Sequence, residues 1–125
     1  MAVTNSMGNN DTTTSAGKLA EDLAAHFLEK RGFTVVARNF HCRGGEIDLV
    51  CRDGKVLVFV EVRLRRNAAY GGAGASITTT KQRRIILAAQ HYLLANTRAE
   101  CDCRFDCVLL DGANIEWVRD AFAAG

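Results

Sequence analysis

Proline is absent from the 125 residues, so every turn has to be made by glycine, asparagine or aspartate. The five cysteines are an odd number, and a disulfide framework is not expected of them. Long apolar runs are also missing. No stretch approaches the ~18 consecutive apolar residues of a membrane span, and no membrane partner is expected. Met1 to Ser15 has neither Lys nor Arg nor an apolar centre, so it does not read as a secretory signal, and a cytoplasmic location is expected. No internal repeat is visible. Net charge is nearly absent too: 16 basic and 14 acidic side chains leave +2, which by itself points to no partner.

What is present is the mixture of one globular domain, with 48% hydrophobic and 24% charged residues. Disordered, collagenous and fibrous classes are excluded. The charge is unevenly spread. Arg63, Arg65, Arg66, Lys81, Arg83 and Arg84 stand against Glu61 alone, whereas the last quarter of the chain is acidic. The basic block is where a polyanion would be drawn, and it equally fits a solvated basic surface. Cys101, Cys103 and Cys107 fall short of the usual spacing and ligand number of a structural zinc site. Cys51 and Cys107 read as small buried hydrophobes.

Met1 to Ser15, rich in Thr, Asn and Ser, reads as a disordered tail, with a single domain over residues 16–125. A helix is predicted from about Gly17 to Arg31, on an apolar stripe of Leu19, Leu23 and Phe27 with Ala20, Ala24 and Leu28 beside it. Gly32 suits the position that ends it. Phe33 to Arg38 is β-prone. A loop from Arg63 to about Thr78 holds Gly71, Gly72 and Gly74. A second helix begins near Thr79, where Thr79 and Gln82 fit a capping box. Its apolar face is Ile85, Ala89, Tyr92 and Leu93. Arg104 to Leu110 and Ile115 to Arg119 are further strands, turned by Asp111-Gly112. This order predicts one mixed sheet flanked by helices.

Glu46 to Arg52 and Lys55 to Arg63 flank Asp53-Gly54, a strong hairpin signal. With Asp53-Gly54 as the two turn residues, Ile47 faces Val60, Leu49 faces Val58 and Cys51 faces Val56, an apolar face that Val62 continues. The other face puts Glu46 opposite Glu61, and Asp48 diagonal to Glu61 with Arg63 next. Like charges opposed on a sheet destabilise it. A divalent cation would offset that, since Mg²⁺ prefers carboxylate oxygens plus water, and Arg63 alone could also do so. The same residues also fit a solvent-facing hairpin end held by surface ion pairs. Phe59, Leu57 and Val50 on this face argue for partial burial. Asp106 reads as structural and Trp117 as a packing residue; His41 and His91 look incidental.

Gly44-Gly45-Glu46-Ile47-Asp48-Leu49-Val50 followed by Phe59-Val60-Glu61-Val62-Arg63 resembles the YraN-like family of uncharacterised bacterial proteins. That family is similar to Holliday-junction resolvases in the restriction-endonuclease-like superfamily. Gly17 with Glu21, Tyr70-Gly71, Lys81-Gln82-Arg83 and Arg104-Phe105-Asp106 extend the match over residues 16 to 123, although Ala20 stands where the family usually has Gly. The resemblance implies a restriction-endonuclease-like three-layer α/β sandwich with a mixed central β-sheet. It implies a metal-dependent endonuclease in which Asp48 and Glu61 hold Mg²⁺ or Mn²⁺, Glu46 is a further ligand or a neighbour of one, and Glu21 assists. The superfamily places Lys where this chain has Arg63, and Arg cannot act as a base. The substrate class implied is DNA, including branched or damaged forms, with Arg65, Arg66, Lys81, Gln82, Arg83 and Arg84 as nucleic-acid contacts. A homodimer is implied only in so far as resolvases cut two symmetric strands. The competing reading is a non-catalytic nucleic-acid binding module with the same fold.

Overall fold

The structure, a computed structural model, describes residues 12–64, 77–96 and 101–124. Arg65, Arg66, Tyr70 and the three loop glycines lie outside the described residues. Seven elements follow in the order α1 (Thr12–Glu29), β1 (Thr34–Cys42), β2 (Gly45–Asp53), β3 (Val56–Leu64), α2 (Thr79–Asn96), β4 (Cys103–Asp111) and β5 (Asn114–Phe122).

Helix α1 begins at Thr12, inside the stretch expected as tail. Once a helix is nucleated, each further residue adds a hydrogen bond at little cost, and Thr and Ser are tolerated there. It ends as expected. Gly32 takes φ 95°, the Phe33 amide donates to the Leu28 carbonyl at 3.1 Å, and the Gly32 amide donates to Glu29 at 3.1 Å. The buried side is one edge of the expected stripe, with Ala25 added. Ala20, Ala24, Ala25 and Leu28 face the sheet, while Leu19 and Leu23 are 60% and 43% exposed. The alanines allow a closer approach of helix to sheet than leucines at the same positions would.

The five strands lie in the order β1-β2-β3-β4-β5. All neighbours are antiparallel except β3 and β4, which run parallel and are joined across α2. Alternation along the strands sends Leu49, Cys51, Val58 and Val60 to the core beneath α1, and Val50, Leu57 and Phe59 to the core beneath α2. The helices therefore cover opposite faces, giving three layers. No helix among the described residues is long and apolar enough to cross a membrane.

The β2–β3 register corrects the expected one. Asp53 pairs with Val56, Arg52 with Leu57, Val50 with Phe59 and Leu49 with Val60. The turn residues are Gly54 and Lys55, not Asp53 and Gly54. Gly54 has φ 63°, whereas Asp53 and Lys55 are not among the positive-φ residues. A glycine with positive φ at the first central position is the requirement of a type II′ turn. The β4–β5 turn repeats this arrangement, with Asp111 paired to Asn114 and Gly112 at φ 59°. The register moves by two residues, so side chains keep their faces while their partners change. Ile47 is the exception: it joins the core beneath α2 instead of the apolar face shared by Leu49 and Cys51. Alternation is broken beside it, where Asn39 of β1 has φ 53° between the pairs Arg38–Leu49 and Phe40–Ile47.

Helix α2 is capped by Thr78, one residue before the expected cap. The Thr78 hydroxyl oxygen accepts from the Lys81 amide at 3.1 Å, and the Gln82 side chain donates to the Ile77 carbonyl at 3.1 Å. Ile85, Ala88 and Ala89 are its buried face. Gly45 sets how close the helix lies, because a Cβ there would run into the carbonyl oxygen of Arg84. This contact seats the first turns of α2 over the start of β2.

Candidate metal and nucleic-acid site

The β2–β3 pairing ends at Leu49–Val60, and one position further along are Asp48 and Glu61. The two acids are thus brought face to face, where the expected register had them diagonal. The Val62 amide donates to Asp48 Oδ2 at 2.8 Å, which fixes one carboxylate oxygen against the backbone of β3. The Asp48 and Glu61 carboxyl groups lie within hydrogen-bonding reach of each other. Glu61 is only 5% exposed. Burial, and then the charge of Asp48, push its carboxyl up to about 7 from 4.5. Burial also raises Asp48, against the opposing hydrogen bond from Val62.

Two cations and one amide surround the pair, and a histidine lies beside the neighbouring Glu46. Lys81 Nζ is 3.7 Å from Glu61 Oε2 and 3.8 Å from Glu46 Oε2. Arg63 Nη1 is 3.8 Å from the same Glu61 oxygen. His41 Nδ1 is 3.5 Å from Glu46 Oε1. Glu46 is therefore turned towards His41 and Lys81. Glu21, half-buried on α1, accepts from Asn39 Nδ2 at 3.0 Å. Burial raises its carboxyl, and the charge of Asp48 is near enough to raise it further.

Of the expected nucleic-acid contacts, Arg83 and Arg84 are exposed on the first turns of α2, Gln82 is occupied in capping, and Lys81 points into the acids. Asn39 and His41 were not singled out from the sequence as site residues. A signal for Asn39 existed, since after glycine, asparagine is the residue most often found at positive φ, and here it stands inside a strand. His41 carried no comparable signal.

The donor set suits a hard divalent cation. Among the described residues no group of three or more His, Cys, Asp or Glu side chains is placed to cage a metal. Mg²⁺, however, is typically held by one or two carboxylates together with water and substrate phosphate. Glu61 is a buried carboxylate with no described N–H within hydrogen-bond distance, because its two cations stop at 3.7 and 3.8 Å. Two ionisable acids forced together are relieved by a cation between them.

The other buried acid is Asp106, 0% exposed. It accepts from Arg104 Nε at 2.9 Å and Nη2 at 3.0 Å, from Trp117 Nε1 at 3.0 Å and from the Asp120 amide at 2.9 Å. Asp120 has φ 53° beside the register shift between Phe105 and Cys107. This carboxylate pins the bulged end of β5 to β4.

Together these observations define an α/β protein with a mixed five-stranded sheet and a paired-carboxylate site beside the start of its second helix. The uncharacterised protein family UPF0102 matches residues 20–110. The chain is 65% identical over 115 residues to a UPF0102 protein of Dechloromonas aromatica, covering 92% of this chain and 94% of that protein. It is 50% identical over 107 residues to one from Saccharophagus degradans, covering 85% of this chain and 91% of the relative. It is 54% identical over 109 residues to one from Nitrosospira multiformis, again covering 85% and 91%. The chain belongs to the UPF0102 family, the YraN-like family that its motifs resemble.

Proposed function

We propose that the protein is a Mg²⁺- or Mn²⁺-dependent endonuclease of the restriction-endonuclease-like type, hydrolysing phosphodiester bonds in DNA, with branched or damaged structures among its substrates. The observation that carries this reading is the pair of half-buried Asp48 and buried Glu61, raised towards protonation and ringed by Lys81 and Arg63. Asp48 and Glu61 would hold the ion, which when bound supplies Lewis-acid activation of water and of the phosphate. The Val62 amide keeps Asp48 oriented. Lys81 and Arg63 place positive charge where phosphate oxygens gain negative charge in the transition state. Arg83 and Arg84, exposed beside this site, give phosphate contacts that position the strand without reading sequence. Glu21 and Asn39 support the site from the α1 side.

A second reading is favoured by one residue. Arg63 stands where the superfamily has Lys and cannot accept a proton. If that position needs a base, the protein is a nucleic-acid binding module that has lost its chemistry. The test is single-turnover cleavage of duplex, single-stranded and branched DNA with Mg²⁺ and with Mn²⁺, alongside binding to the same substrates. The nuclease reading expects metal-dependent cleavage lost in Asp48→Asn and Glu61→Gln. Salt-sensitive binding without cleavage selects the binding module. Absence of both removes both readings.

A further inference from the structure

Lys81 is not placed like the other cations of α2. Arg83 and Arg84 are exposed, whereas the Lys81 side chain is 31% exposed and its ammonium lies between Glu61 and Glu46. The helix start that carries it is held against β2 at Gly45 and capped by Thr78, so the base of the side chain is fixed. Its four-carbon stem is flexible, and its charge is a compact point that can be moved. Arg63 approaches the same Glu61 oxygen from within β3. Neither cation comes to hydrogen-bond distance, although Glu61 is nearly sealed from water. Lys81 is therefore close enough to neutralise the pair and not locked to it.

We propose that Lys81 is a tethered counter-ion of the Asp48–Glu61 pair, which a divalent cation displaces and which then turns to the anionic phosphate brought to that cation. This rests on the reading of Asp48 and Glu61 as a divalent-cation site. The argument is electrostatic. A dication seated on Glu61 while the ammonium stays beside the same oxygen is repelled by it, and the repulsion is strong where water is scarce. Moving the ammonium relieves the repulsion but breaks its contacts with Glu61 and Glu46. Lys81 therefore weakens binding of the metal alone. A phosphodiester arriving with the metal gives the displaced ammonium a new partner, so metal and phosphodiester bind better together than apart. That coupling is necessarily reciprocal. It makes the site responsive to metal and substrate jointly.

The experiment measures Mn²⁺ binding by EPR at pH 8.5, with and without dimethyl phosphate as a soluble phosphodiester probe. The proteins are the native chain, Lys81→Met, Lys30→Met as an exposed cation just after α1, and Asp48→Asn. Lys81→Gln replaces Lys81→Met if circular dichroism shows that the latter does not fold. In the native protein, Mn²⁺ is expected to bind, to bind more tightly with dimethyl phosphate, and to be lost with Asp48→Asn. Lys81→Met is expected to bind Mn²⁺ alone about 10-fold more tightly or better, and to lose the dimethyl phosphate enhancement. Lys30→Met should behave as native. Unchanged or weaker Mn²⁺ binding in Lys81→Met, with Asp48→Asn still abolishing it, overturns the counter-ion proposal and leaves the metal site standing. Absence of Mn²⁺ binding in both the native chain and Lys81→Met overturns both.

Discussion

Glu61 and Asp106 sit on adjacent parallel strands, one position apart in register, and are sealed from water to nearly the same degree at 5% and 0% exposure. Strand alternation sends Asp106 towards α1 and Glu61 towards α2. There the likeness ends. Asp106 receives four N–H donors between 2.9 and 3.0 Å, two of them from the paired guanidinium of Arg104. Glu61 receives none within hydrogen-bond distance from the described residues and has another acid against it instead. A buried carboxylate is tolerated when its lone pairs are filled, and it is costly when they are not. The same residue chemistry thus serves as a rivet in one place and, in the proposed reading, as a ligand kept waiting in the other.

The largest effect should come from removing the rivet. Asp106→Ala leaves Arg104, the Trp117 indole N–H and the Asp120 amide without their acceptor, and urea unfolding should show a loss of about 3–5 kcal/mol. Glu61→Gln should behave in the opposite sense. The folded-state carboxyl of Glu61 is raised to about 7 from 4.5, so between those values the folded protein holds a proton that the unfolded chain has released. Stability should therefore fall as pH rises from about 4.5 to about 7, and the full penalty remains above that range. Urea unfolding across this range should show Glu61→Gln removing a pH-dependent loss on the order of 3 kcal/mol. A Glu61→Gln variant as damaged as Asp106→Ala would erase the distinction between the two acids.

A smaller effect sharpens the Glu61 side of the comparison. Gly45→Ala places a methyl group on the Arg84 carbonyl and should cost about 1–3 kcal/mol in unfolding, the range of overpacking. It should also move the first turn of α2, and with it Lys81, relative to the acids. In Gly45→Ala the carboxyl chemical shifts of Glu61 and Glu46 should change while that of Asp106 stays in place.

The layered mixed fold was legible because β-rich runs separated by Asp-Gly turns, with one helix before and one between, leave few ways to cover both faces of a sheet. Details that depend on backbone conformation were not. Asp53-Gly54 suggested a turn centred on both residues, but there, as in the Asp111-Gly112 hairpin, glycine takes the first central position and aspartate closes the strand. That two-residue shift in partners is what brings Asp48 beside Glu61. The apolar stripe of α1 misled in a different way. Leu19 and Leu23 satisfy the helical period, yet the alanine side fits the sheet more closely. Asp48, Glu61 and Arg63 were readable as a candidate site from their spacing and motif, and the fold brings them together. Lys81 was readable as a nucleic-acid contact and not as a neighbour of Glu61, because the capping residue and the Gly45 contact that aim it at Glu61 are tertiary features. Asn39 acquires its place from the same source, since its amide meets Glu21 across 18 residues of chain.

The central claim is that the Asp48–Glu61 pair is held for a cation and Asp106 for the fold. Its most direct test is ¹³C NMR of the carboxyl groups of Asp and Glu through a pH titration, with and without Mg²⁺. The account predicts that Glu61 titrates near 7 and that Mg²⁺ drives the Glu61 and Asp48 signals to their ionised positions at lower pH, while the Asp106 signal does not respond to the ion. A Glu61 signal that titrates near 4.5, or Glu61 and Asp48 signals indifferent to Mg²⁺ up to millimolar concentrations, would contradict it.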